Sequence, residues 1–273
     1  MPAAASRIVL VTGAAGGIGS AITGALVAAG HRVGAVDRDQ MALDKLVAEN
    51  SDVHPIVGDL AQEADCTRAV AECVQHFGHV DAVINNAGIG MSSIRPDAEA
   101  RHPRIAELSA EIWDRFYAIN VRGHILITRA ALPHMQAKKW GRIVNNTTSF
   151  ITMLRVLPYG AMKSTLESIS AVWAKELEGS GITVNVLIPG GPTDTPFISD
   201  AAGWPRDKML RPAIMGPPAA WLISDEAAAF TGQRIIAARW DLSLRASEAA
   251  QRSSRAIGWP ELTTDAVWLQ GSR

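Results

Sequence analysis

The sequence predicts a single α/β domain built on a doubly wound parallel sheet in three layers. Three observations carry that prediction. Short runs of consecutive apolar residues alternate with longer amphipathic stretches. A glycine-rich turn joins the first apolar run to the first amphipathic stretch. The composition, 48% hydrophobic with only 19% charged residues, suits a large buried core. The length, 273 residues, fits one large α/β domain or two ordinary ones. No repeat, low-complexity tract or linker divides it, so residues 1–240 read as one domain and 241–273 as an extension of that domain.

The elements follow in order. Ile8–Val11, Arg32–Val36, Val53–Val57, Val80–Ile84, Arg142–Asn146, Thr183–Ile188 and Arg234–Ala237 read as strands. Several are apolar at consecutive positions, as parallel strands covered on both faces should be. Between them, Gly17–Ala29, Met41–Glu49, Glu63–His76, Glu111–Ala137 and Pro158–Glu178 read as helices. The alternation implies right-handed βαβ crossovers. Two segments fall outside the rhythm. Residues 90–108 form a polar loop with a basic centre, and residues 193–218 are rich in Pro and Gly and follow a strand end, where open α/β sheets bind ligands. Trp204, in the second segment, is a candidate for lining a substrate lid, whereas Trp259 and Trp268 in the tail suggest packing without a readable motif.

Charge and cysteine usage narrow the function classes. With 26 Lys+Arg against 27 Asp+Glu and no basic block, neither a nucleic-acid footprint nor a polybasic membrane contact is expected. Cys66 and Cys73 lie seven apart in a helical segment, roughly 10 Å along its axis. That is too far for a mutual disulfide, and two thiols in such a chain suit a reducing compartment. No apolar run is long enough to span a bilayer and no secretory pattern opens the chain, so a soluble cytoplasmic protein is expected. The seven histidines are scattered, and no metal site is expected. Ser149 has no nearby His–Asp motif to suggest a hydrolase triad.

The first turn, Thr12-Gly13-Ala14-Ala15-Gly16-Gly17-Ile18-Gly19, lies between an apolar strand and a helix. Glycines there let the backbone approach a pyrophosphate, and the helix N-terminus supplies free N–H groups and partial positive charge. Asp37 ends the second strand, placed to accept hydrogen bonds from adenosine ribose hydroxyls and to repel a 2′-phosphate. This favours NAD over NADP, although the neighbouring Arg38 guanidinium is of the kind that accommodates a phosphate.

Only two tyrosines occur, Tyr117 and Tyr159. Trp113, Phe116 and Tyr117 share helical spacing and read as core or subunit contact. Tyr159 stands four residues before Lys163, so both occupy one helix face. A lysine ammonium and an oxidised nicotinamide would both favour the phenolate, allowing Tyr159 to exchange a proton with a substrate oxygen while the nicotinamide exchanges a hydride.

Taken with other motifs in order, the chain resembles the short-chain dehydrogenase/reductase family, in its shorter single-domain branch, over most of residues 7–237. Thr12–Gly19 matches the family's TGxxxGxG turn, Asn85-Asn86-Ala87-Gly88 its NNAG, Tyr159 and Lys163 its YxxxK, and Pro189-Gly190 the pair after the sixth strand. Asn120 matches its asparagine, and Gly141–Asn145 the approach to its serine. Asp59-Leu60 resembles the pair near the adenine, and Ser224-Asp225 with Thr231-Gly232 the approach to the last strand. The resemblance implies a Rossmann-type fold binding NAD, or less readily NADP, through Gly13, Gly17, Ile18, Gly19, Asp37, Arg38, Asp59, Leu60, Asn86, Ala87, Gly88, Tyr159, Lys163, Pro189, Gly190 and Thr193. Tyr159 would be general acid/base, and Lys163 would hold the nicotinamide ribose and tune Tyr159. Asn120 would hold a relay water, though it equally suits a helix kink, and Asn85 equally suits a bridge between strands. A hydroxyl near residue 148 would orient the substrate oxygen. The implied activity is hydride transfer between NAD(H) and a secondary alcohol or ketone, in a dimer or tetramer with subunit contacts through residues 111–137 and 158–178. An NADPH-dependent 3-oxoacyl or cyclic-ketone reductase and a non-catalytic dinucleotide-binding module are the alternatives. The longer epimerase/dehydratase branch shares YxxxK but needs a larger substrate domain than this length leaves room for.

The chain also departs from the family pattern. Asn145-Asn146-Thr147-Thr148-Ser149 replaces the usual N-I-S-S, and the interval to Tyr159 is short. Counting from Gly141 puts the catalytic hydroxyl on Thr148. Residue type favours Ser149, which is the expected assignment, with Thr148 as the alternative. After the last strand, Ala237-Ala238-Arg239-Trp240-Asp241 stands where the family commonly has an acidic-glycine ending. Arg95, Arg101, His102, Arg104, Arg206, Lys208 and Arg211 suggest either contacts to an anionic substrate or simply solvated loops.

Overall fold

A computed structural model describes residues 5–265, and Trp268 lies outside them. The strands are β1 (Ile8–Thr12), β2 (Arg32–Asp37), β3 (Val53–Val57), β4 (Ala82–Asn85), β5 (Gly141–Asn146), β6 (Ile182–Ile188), β7 (Gln233–Ile236) and β8 (Ser254–Ala256). They form one sheet in the order β3-β2-β1-β4-β5-β6-β7-β8. Pairing is parallel from β3 through β7, with registers such as Val9↔Val33 and Val9↔Ala82. An eighth strand, beyond the seven expected, joins the parallel sheet at one edge. β8 runs antiparallel to β7, pairing Arg234 with Arg255, so the tail supplies the last strand.

The pleat divides the core. Val9 and Val11 face one side, with α1 (Gly17–Ala28), α2 (Gln40–Glu49) and α8 (Gly216–Ile223). Ile8 and Leu10 face the other, with α3 (Glu63–Phe77), α5 (Gly123–Lys138) and α7 (Tyr159–Glu176). Burial on both faces is why these strands read as continuous apolar runs. Pro55 is tolerated in β3 because that strand lies at the sheet edge and needs no N–H there. Gly34 leaves room for Cys73, whose Sγ would stand 2.7 Å from an added Cβ. Both cysteines are buried and free, and burial pushes their thiols up, Cys66 to about 11 and Cys73 to about 12.

The expected single helix over 111–137 is broken. α4 (Ala110–Tyr117) passes through a π turn at Ala118–Arg122 before α5 begins. Within α4, Phe116 is buried and Tyr117 is exposed, so the aromatic cluster divides between core and surface. Other tryptophans now have partners. Trp140 stacks against the guanidinium groups of Arg7 and Arg142, and Trp221 packs on Phe230 and Trp240. Trp259 meets Phe150 of the short helix α6 (Phe150–Met153). A last helix, α9 (Ala246–Ser253), precedes β8. Among the described residues no helix is long and apolar enough to cross a membrane.

Candidate active site

Strand order reverses between β1 and β4, and the cleft opens at the strands' C-terminal ends there, as expected at a topological switch point. Its volume is about 1130 Å³, and its walls run from Asp37 and Arg38 past the glycine turn to Tyr159 and the residues 193–204.

The turn is built for close approach. Gly13 has φ +62°, and a Cβ there would stand 2.8 Å from Ala87 Cα. At Gly19 a Cβ would collide with the Gly13 carbonyl. α1 has no side-chain N-cap, leaving its first-turn amides to face the cleft. These amides, the glycine cradle and the Asp37 carboxylate fit a dinucleotide. Asp37 already accepts from Ala15 N at 3.1 Å and Asp39 N at 3.3 Å, which fixes its carboxylate at the cleft edge.

The NNAG segment holds the turn in place. Asn86 Nδ2 donates to the carbonyls of Thr12 and Gly13, both at 3.1 Å, and its Oδ1 accepts from Asn146 Nδ2 at 2.9 Å. Asn85 Nδ2 bridges to Thr128 Oγ1 and Asn145 Oδ1, the strand-bridging alternative of the sequence. Ala87, Gly88, Asp59 and Leu60 line the cleft, as do Ile18, Pro189 and Gly190.

Asn120 is fully buried inside the π turn, with Nδ2 donating to Phe116 O at 3.1 Å and Oδ1 accepting from Ile89 N at 3.2 Å. Its side chain ties the turn to the loop after β4. Thr193 anchors its own loop through a bridge to Leu210, whereas the Thr195 side chain covers Gly17 so closely that a Cβ there would overlap it. Thr195 is therefore a cleft residue that the sequence reading missed. The signal lay in the residue count after Pro189-Gly190, which Pro192 makes ambiguous.

At the chemical end, Tyr159 opens α7 and its ring meets Phe197 at 5.6 Å. Burial raises its phenol above the ordinary 10, and a hydrogen bond with the Thr148 side chain opposes that rise without cancelling it. Among the chain's own groups burial dominates and leaves the phenol raised. Lys163 is itself buried. Its Nζ donates to Asn146 O at 2.7 Å and lies 5.8 Å from the Tyr159 ring centre, and burial pushes its amine down to about 7.

That shift has a stability consequence. Between about 7 and the ordinary 10.5, the unfolded chain holds a proton that the native lysine has released. Stability from this group is present above the unfolded value and lost as pH falls through the folded one. Thermal melts of the wild type and Lys163→Met should therefore converge or cross in favour of the variant as pH drops from about 9.5 to about 6.5. A pH-independent difference in Tm would show that the lysine is not shifted.

The structure separates the two candidate hydroxyls. The Thr148 side chain lies within reach of the Tyr159 phenol, whereas Ser149 is the N-cap of α6, accepting from Thr152 N at 3.2 Å and meeting Thr152 Oγ1 at 2.8 Å. Both residues line the cleft, and α6, which begins directly after β5, takes the serine as its cap. Most basic loop residues are also spent internally. Arg95 pairs with Asp97 and Glu107, Arg101 with Asp97, Arg206 with Asp194 and Asp200, and Arg211 with Asp194. Of the basic residues singled out in those loops, His102 lines the cleft. Trp204 lines it as well.

This fold and cleft define a nicotinamide-dependent oxidoreductase. The family model described as short chain dehydrogenase matches residues 7–204, and the chain belongs to the short-chain dehydrogenase/reductase family. It is 30% identical over 246 residues to a 3-oxoacyl-[acyl-carrier-protein] reductase of Thermotoga maritima, covering 84% of this chain and 95% of the relative. It is 34% identical over 214 residues to a 2-(R)-hydroxypropyl-CoM dehydrogenase of Xanthobacter autotrophicus, covering 75% and 82%. Among solved structures, the 3-ketoacyl-(acyl-carrier-protein) reductase of Brucella melitensis complexed with NADH superposes with a TM-score of 0.71 at 29% identity, over 82% of this chain and 93% of that one.

Proposed function

We propose that this oxidoreductase transfers a hydride between NAD(H) and a secondary alcohol or ketone, with Tyr159 as general acid/base. The observation that carries this reading is that Tyr159, Thr148 and Lys163 line the same cleft as the glycine turn and Asp37. The bound nicotinamide supplies or accepts the hydride. Thr148, rather than Ser149, orients the substrate oxygen beside the phenol. Tyr159 donates a proton to that oxygen in reduction and removes it in oxidation. Lys163 would hold the nicotinamide ribose, and Asn120 keeps the π turn and the loop after β4 in register. A phenol raised by burial needs positive charge to become a base, and a bound oxidised nicotinamide would supply it.

Met91, Val156, Phe197, Ile198 and Trp204 give the substrate end an apolar lining, which suits a small to medium substrate. Exposed Tyr117 on α4 and Val172 on α7 support a homo-oligomer built through these helices, and two free buried thiols suit the cytoplasm. One observation favours a second reading. Arg38 also lines the cleft, and relatives named 3-oxoacyl and acetoacetyl-CoA reductases make a phosphate-bearing cofactor and a thioester substrate the rival.

A panel of secondary alcohols, ketones and 3-oxoacyl thioesters, each with NAD(H) and NADP(H) and followed by nicotinamide absorbance, tests the reading. Preference for NAD(H) is expected. Asp37→Ser should raise KM for NAD(H) by about tenfold or more, the scale of a lost hydrogen bond to a charged group. Strong preference of the wild type for NADPH would overturn the assignment of Asp37.

A further inference from the structure

The inward face of α7 carries three ionisable groups at four-residue spacing: Tyr159, Lys163 and Glu167. The first two face the cleft, but Glu167 is fully buried and absent from its walls. Its partner is Arg234 of β7, 7% exposed and opposite Val186 in the sheet. Arg234 Nε lies 3.2 Å from Glu167 Oε1, a charge contact whose angle falls short of a hydrogen bond. Glu167 Oε2 accepts from Thr147 Oγ1 at 2.8 Å, and Arg234 Nη2 donates to the carbonyl oxygen of Thr148. The buried pair therefore grips two successive residues where β5 leaves the sheet.

That location matters for the backbone. Ladder pairing of β5 ends at Asn146, and the Thr147 amide makes the last bond across to Leu187 O at 3.3 Å. Beyond it the chain enters α6 through the Ser149 cap. Thr148 stands between these two anchors, and Arg234 supplies the hold on its carbonyl. Burying an ion pair is expensive, and an apolar pair of similar volume often serves stability as well or better. A stability role alone is therefore a weak reason for charges in this place.

We propose that the Arg234–Glu167 pair is a positioning device for the reaction: it fixes the backbone at Thr147 and Thr148 so that the Thr148 hydroxyl stays against Tyr159. The proposal rests on the reading of Thr148 as the substrate-orienting hydroxyl. Neither Arg234 nor Glu167 touches substrate or cofactor; both act through Thr148. Arginine suits the task because its fork reaches the carboxylate and the carbonyl together, which a lysine ammonium at the same place does not.

The test is a cycle between the pair and Thr148. Removing either charge alone leaves the other buried and unpaired, so the informative variant is the double change Arg234→Met with Glu167→Gln. It should retain the wild-type Tm and NADH affinity yet lower kcat on the best substrate by about 10- to 100-fold, the scale of a misplaced reacting group. Arg234→Lys should fall between the two. In a Thr148→Ala background the same double change should cost less than about twofold more, since the group it positions is gone. Independent, multiplying losses in the two backgrounds would reduce the pair to a structural brace and overturn the proposal. So would wild-type kcat in the pair variant, or a loss of NADH affinity that matches the loss of kcat. Full turnover by Thr148→Ala alone would instead overturn the reading of Thr148, and the positioning role with it. A large loss in Thr148→Ala with none in the pair variant would overturn only the positioning role.

Discussion

Tyr159→Phe is expected to lower kcat by about three orders of magnitude, within the range that positioned acid–base groups supply. The phenylalanine preserves the ring contact with Phe197, so the fold and the dinucleotide site should survive and NADH affinity should change little. The lost group is the hydroxyl alone. The phenol's role as acid in one direction and base in the other fixes the sign of the pH dependence. Alcohol oxidation needs the phenolate, so wild-type kcat for oxidation should climb with pH. Carbonyl reduction needs the protonated phenol and should fall over the range where oxidation rises. The residual activity of Tyr159→Phe should lose both slopes. Steady-state rates across a pH series, followed in both directions by nicotinamide absorbance, provide the measurement. A variant that kept wild-type turnover, or kept the wild-type pH slopes, would remove Tyr159 from the mechanism.

The parts of this enzyme legible in its sequence are those in which local chemistry and tertiary role coincide. The seven parallel strands announce themselves because both faces are buried and nearly every position is apolar, as in β1. Gly13 and Gly19 are legible because the turn tolerates no side chain there. The π turn at Ala118–Arg122 is not, since Ala-Ile-Asn-Val-Arg suits an α-helix equally well and only the burial of Asn120 between Phe116 and Ile89 exposes the shifted ladder. α8 hides behind Pro217 and Pro218, which punctuate a loop in sequence but fit the first turn of a helix. β8 has three residues, none of them strongly β-forming, and exists because β7 offers an edge. Charge was least legible of all. Arg206 and Arg211 face carboxylates of their own loop, and Arg234 meets Glu167 from a distant strand, pairings that only the fold reveals.

The same competition between local and tertiary demands governs the hydroxyl beside Tyr159. Thr148→Ala should lower kcat by about 100-fold, the loss typical when one donor to a developing oxyanion is removed. Ser149→Ala should leave kcat within about threefold and instead cost about 1 kcal/mol of stability, as the loss of a helix N-cap does. Thr148→Ser should keep most of the activity, because it retains the oxygen and drops only the methyl group. The contrast follows from what each side chain already does: Ser149 Oγ caps α6 at Thr152, whereas the Thr148 side chain lies beside the phenol. Purified variants assayed for kcat and Tm give two independent readouts, and the expected pattern is crossed, with activity falling in one and stability in the other. If Ser149→Ala lost turnover while Thr148→Ala kept it, the serine would serve as helix cap and substrate-orienting hydroxyl at once, accepting from Thr152 N while its own O–H reached into the cleft, and the reading of Thr148 would fall.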